Sequence, residues 1–220
     1  MQTTVLILSY LAKNQSQNKW VLSKKLEKSY GNIHASVKIL LENNTPFIRI
    51  EHTEPSSKNP KARINFYGLT LHGVLEGLID NSKLWEKIDV IAEIHQDKLR
   101  IFKKWKFFEI RGLKESIKAA MMSFLASIEM TQSSLMLVSR RIEWTEEELK
   151  NIVDSAVLGV HEIRTRKEPS NLFSEILKAA KEDKELKEFI INELNQAKNI
   201  TLNTLKRLEE GLKLMKNNRK

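Results

Sequence analysis

The sequence predicts a mainly helical protein carrying one small β-hairpin, with a mixed part over residues 1 to 80 and an all-helical part over 81 to 220. Three observations lead there. Apolar residues recur at three- and four-residue spacing over most of the chain, the mark of amphipathic helices. Glycine and proline number only 7 and 4 among 220 residues, too few for the turns of an extensive sheet. The period falls to two only around residues 47 to 52, followed after a polar loop by a second β-type run.

Taken in order, a first helix is expected over Thr3 to Lys13, with Val5, Leu8 and Leu11 on its core face. Trp20 and Val21 read as a short strand, and Ser23 as the N-cap of a second helix. Gly31 is expected to supply a positive φ between helices, and Asn32 to cap a third helix reaching Asn44. On that helix Ile33, Val37, Leu40 and Leu41 form one buried stripe. Phe47 to His52 alternate as a half-buried strand, Pro55 to Pro60 make a loop, and β-type residues resume at Ile64. Thr70 then caps a helix with Val74, Leu75, Leu78 and Ile79 inside.

Beyond Ser82 the composition is that of long helices: Lys83 to Lys106, Leu113 into the 130s, Thr145 to Arg164, Asn171 to Asp183 and Lys184 to Met215. Thr145-Glu146-Glu147-Glu148 is a capping-box pattern with carboxylates beside a positive helix end. Two stripes are candidate subunit seams: Ile94, Ile101 and Trp105, and Leu194, Leu205, Leu208 and Leu212.

The run from Trp20 through the turn at Tyr30-Gly31-Asn32, the Ile33–Asn44 helix and the two β-type segments resembles the winged-helix DNA-binding domain of transcription regulators, many of them prokaryotic. Tyr67-Gly68-Leu69-Thr70-Leu71-His72-Gly73 resembles the tyrosine-x-leucine-threonine-x-x-glycine run that closes many such domains. The resemblance covers residues 1 to 80 only. It implies binding to duplex DNA, transcription regulation, and a homodimer built through the helical part.

A DNA-binding face needs a helix end in the major groove and cations near phosphates. Asn32, His34, Ser36 and Lys38 are the candidates on the third helix, and Lys24, Lys25 and Lys28 on the second. Lys58, Lys61 and Arg63 line the wing that the resemblance implies. The third helix lacks an outward Arg or Gln for bidentate base reading and carries Glu42 and Ile39 instead. The alternative is therefore a winged-helix protein-interaction module in a larger assembly.

Composition narrows the rest. A net charge of +9 favours nucleic acid first and an anionic surface second. No cysteine is present, so disulfides and thiol ligands are excluded, which fits a cytoplasmic protein. The apolar start reads as a core helix, and Glu129 inside Ala119–Val138 argues against a membrane span. The histidines are scattered without metal spacing, and no phosphate loop or nucleophile elbow occurs, so neither enzyme activity, metal nor cofactor is expected. The basic and aromatic stretch Lys98 to Arg111 is expected to be core-packed with its lysine heads in water. Met121 to Met136 is a methionine-rich stretch where packing is the commoner reading and a pocket for a small apolar effector the other.

Overall fold

In the computed structural model, residues 2–43, 45–57, 59, 61–139, 145–160 and 170–217 are described. The first helix, α1 (Thr3–Ala12), leads to a two-residue strand, β1 (Gln17–Asn18). Helices α2 (Lys19–Lys25) and α3 (Tyr30–Leu41) follow, then strands β2 (Ile48–Pro55) and β3 (Arg63–Leu69) and helix α4 (Leu71–Asp80). The strands form a three-stranded antiparallel sheet in the order β1-β3-β2.

Several boundaries differ from expectation. Trp20 and Val21 are helical because Asn18, not Ser23, caps α2, its side chain accepting from Val21 N–H at 3.0 Å. Ser23 instead donates to the Lys28 carbonyl at 2.6 Å, closing the turn between α2 and α3. That turn places its positive φ (52°) on Glu27, while Gly31 lies inside the first turn of α3. Ser29 rather than Asn32 caps α3 and accepts the Asn32 N–H. Pro55 is the last residue of β2 instead of the first of the loop, as an edge strand permits. Only Ile48 of β2 is buried, so the hairpin is mostly solvated. A bulge between Ile50 and His52 bends it.

Thr70 behaves as expected and does more. Its hydroxyl accepts from Gly73 N–H at 3.1 Å and donates to the Pro46 carbonyl at 2.7 Å, while its own N–H donates to the Phe47 carbonyl at 3.1 Å. The start of the hairpin is thus tied to the start of α4. Gly73 is required here, since a Cβ would lie 1.9 Å from the Phe47 carbonyl oxygen.

The helix expected over Lys83–Lys106 is four pieces: a 3-10 turn (Ser82–Lys87), α5 (Ile88–Ile94), α6 (Arg100–Lys103) and α7 (Trp105–Ile110). Nothing local breaks it; tertiary bonds do. His95 is buried and donates from Nε2 to the Ala12 carbonyl at 3.2 Å. Asp154 accepts the backbone N–H groups of Arg100 and Ile101 at 3.0 and 3.2 Å, which starts α6 there.

Helices α8 (Lys114–Ser139), α9 (Glu146–Val157), α10 (Asn171–Ala180) and α11 (Lys184–Asn217) complete the chain. Thr145 and Glu148 form the expected capping box on α9. The helix expected to reach Arg164 ends at Val157, where the following Gly159 takes a positive φ of 74°, and the expected break at Glu168-Pro169 lies outside the described residues. One hydrophobic cluster runs from Ile7 through Leu75 and Phe108 to Ile190. It includes Ile101 and Trp105 of the first candidate subunit seam, whereas Ile94 is half-buried and outside the cluster. In the second, Leu194 is half-buried while Leu205 and Leu208 are exposed.

Two substitutions probe these anchors. Gly73→Ala gains about 1 kcal/mol of helix propensity but meets backbone, and overpacking costs about 3 kcal/mol, so urea denaturation should show net destabilisation. Asp154 is fully buried, and burial pushes its carboxyl from 3.8 up to about 6, against the pull of the two N–H groups and the Arg100 guanidinium. A raised folded-state value means that its contribution to stability is whole below about pH 4 and fades as the pH climbs through 6. Between pH 4 and 7, stability measured for Asp154→Asn should therefore gain on the native chain by up to about 3 kcal/mol. A difference that stays flat with pH would contradict this assignment.

Candidate nucleic-acid interface

The expected functional residues lie on α2, α3 and the hairpin. Helix α3 lies beside α2, and its outer face presents Asn32, His34, Lys38 and the apolar Ile39, all exposed. Ser36 does not belong to that face. It is only 8% exposed and points with Ile33 and Val37 toward the core, because residues three apart share a helix face. Lys38 pairs with Glu42 one turn on, at 3.8 Å, which offsets part of its charge. Both are exposed, so the pair is weak.

Lys24 and Lys25 project from the end of α2, and Lys28 is half-buried in the following turn. The Lys24 ammonium sits 3.8 Å over the Trp20 ring, and that ring is itself 58% exposed. On the hairpin, Lys61 and Arg63 are exposed, and Lys58 lies outside the described residues. Among the described residues, Lys24, Lys25, Lys28, Lys61 and Arg63 have no acidic partner.

Between α2, the start of α3 and the hairpin runs an open groove of about 620 Å³. Lys19, Trp20, Tyr30, Arg63 and Asn65 are among the side chains that line it. Lys19 spans its base, its ammonium 3.1 Å from His34 Nδ1 and 5.5 Å from the Tyr67 ring centre. With Lys19 donating, Nδ1 is the acceptor and the ring proton sits on Nε2. Tyr30 is half-exposed, with its ring 6.5 Å from that of His34. The arrangement offers cations for phosphate oxygens and aromatic surface for sugars or bases.

Lys19, Trp20, Tyr30 and Asn65 were not among the residues expected from sequence. The signal was the Asn18 cap: once α2 starts there, Lys19 and Trp20 fall in its first turn, facing the hairpin.

The second basic stretch is different in kind. Lys103 and Lys104 pair with Glu185 and Asp183 at 2.8 and 2.7 Å, Arg111 pairs with Glu182, and Lys98 pairs with Asp97. The hydrogen bond from Arg111 holds the Glu182 carboxyl below its ordinary range. The aromatic residues Phe102, Trp105 and Phe108 are core-packed as expected; Lys103 stays exposed while pairing, whereas Lys98 and Lys104 meet their carboxylates largely out of water. Around the methionine-rich stretch, Met121 is buried, whereas Met122, Ser123, Ala126 and Ser127 are exposed. The side chains of Met130 to Met136 lie outside the described residues. Also among the described residues, no cluster of three or more His, Cys, Asp or Glu could hold a metal. No helix there is long and apolar enough to cross a membrane.

The burial contrast on α3 can be measured directly. Ser36→Gln should destabilise the protein by about 1–3 kcal/mol in urea denaturation, as an overpacked polar group does. His34→Gln, on the solvent face, should stay within about 0.5 kcal/mol. Equal effects at the two positions would contradict the orientation of the helix.

No model of a known protein family matches this chain, and no curated protein matches it, so what this face does follows from its geometry and charge alone.

Proposed function

We propose that residues 1 to 80 form a winged-helix domain that binds duplex DNA, in a transcription regulator that works as a homodimer. The order α1-β1-α2-α3-β2-β3-α4, with β1 paired to β3, supports this reading. The observation that carries it is the groove between α3 and the hairpin, where Lys19 and Arg63 face a space with no acidic lining residue among the described ones. A phosphodiester strand is a chain of anions, and a basic groove flanked by an exposed helix suits its passage. In this reading α3 enters the major groove with Asn32, His34 and Lys38, and the tip of the hairpin lies on the adjacent backbone or minor groove. The homodimer supplies two such faces for paired half-sites.

A second reading, a protein-interaction module, draws on Ile39, which is 62% exposed at the centre of the outer face of α3. A thymine methyl and an apolar partner surface both suit it.

Salt dependence separates the two. Binding to random duplex should weaken steeply with added salt, and Lys58→Ala/Lys61→Ala/Arg63→Ala should flatten the log–log slope by about 0.9 for each phosphate contact removed. His34→Gln or Asn32→Ala should change sequence preference more than the slope. An unchanged affinity and slope in the triple variant would sink the proposed docking, and no binding to any duplex would favour the protein-interaction reading.

A further inference from the structure

The distal half of α11 has no place in the core. Residues 198 to 210 are all exposed, and the helix continues to Asn217. At 1.5 Å per residue this is a rod of about 30 Å. In folded proteins most of a helix's stability comes from packing its apolar face against another element. Yet this rod displays Ile200, Leu202, Leu205 and Leu208 at 54%, 46%, 52% and 61% exposure. These apolar residues call for a cover.

A cover of the right shape and charge lies on the same molecule. An open groove of about 540 Å³ runs between α8, α9 and the proximal half of α11. Phe124, Ile152, Ala156 and Ala197 give it an apolar lining with small side chains, which lets a helix approach closely. Glu148 and Glu193 also line it, and among the described residues none that lines it is basic. Residues 198 to 217 carry Lys198, Lys206, Arg207, Lys213 and Lys216 against Glu209 and Glu210 only. The rod is basic and apolar; the groove is apolar and acidic.

A continuous helix cannot fold back onto a groove formed by its own proximal half. We infer that the distal half of α11 docks in the α8–α9–α11 groove of a second copy, each copy covering the other. Antiparallel crossing of two α11 helices about a two-fold axis achieves this, and such an interface is self-complementary by symmetry. The inference rests on the homodimer reading and names its surface; DNA binding has no part in it.

The absence of cysteine makes the test clean. Chains carrying Ile152→Cys and Leu208→Cys, with tags of different mass, are mixed, equilibrated and mildly oxidised. The expected product is the mixed disulfide, formed at least about tenfold faster than either self-linked dimer, with the full chain dimeric by light scattering at tens of micromolar. Charge reversal gives an independent readout: Glu193→Lys should weaken dimerisation about tenfold, and Lys206→Glu/Arg207→Glu on the same chain should restore it. Faster self-linking of Leu208→Cys, or a dimer without the mixed disulfide, overturns the groove docking but leaves the homodimer. A monomeric full chain overturns both.

Discussion

The rest of this structure depends on where the Phe47 carbonyl goes. It accepts the Thr70 N–H and lies against Gly73, while the Thr70 hydroxyl holds the neighbouring Pro46 carbonyl. Two adjacent carbonyls leaving α3 are thereby fixed onto the first turn of α4. The outer part of the hairpin is solvated, and its core end rests on Ile48, Tyr67 and Leu69. Hydrogen bonds at its base hold it, and they set the width of the groove that α3 and β3 share. A larger residue at position 73 would displace that base and, with it, Arg63 and Asn65.

Much of the fold was legible because apolar spacing reports burial directly. Ile33, Val37 and Leu40 are buried as their spacing implies, and the Thr145–Glu148 box caps α9 as its residue types require. Failures occurred where a distant group decides a local question. Nothing near His95 marks a helix end; its contact with Ala12 and the new start that Asp154 fixes at Arg100 both come from far along the chain. The polarity of Ser36 suggests exposure, whereas its helical phase places it among the buried residues with Val37. Gly31 drew the turn toward itself, yet the backbone spends its positive φ on Glu27, held by Ser23.

Charge shows the same division between what composition reports and what structure decides. The net +9 is a sum over two unlike surfaces. On the helical part, Lys103, Lys104 and Arg111 meet Glu185, Asp183 and Glu182, so a stretch that reads as strongly basic is largely compensated. Those carboxylates lie more than 70 residues away along the chain, beyond any local pattern. Around α3 and the hairpin, the cations lack such partners among the described residues, apart from Lys38 with Glu42 and Arg49 with Glu146. The field that an incoming anion meets is set there.

That Arg49–Glu146 contact has a counterpart with a consequence in time. The other oxygen of Glu146 accepts the Leu71 N–H at 2.8 Å across 75 residues of sequence, completing the first turn of α4. Arg100 and Ile101 wait similarly for Asp154, 54 and 53 residues later. On the ribosome, at roughly 5–20 residues per second, the Leu71 amide spends on the order of 4–15 s in water before its acceptor is made. The amino-terminal part is therefore synthesised with an unfinished helix end, and the helical part that follows supplies the missing oxygen. Folding of the first 80 residues is completed by chemistry encoded in the second half of the chain.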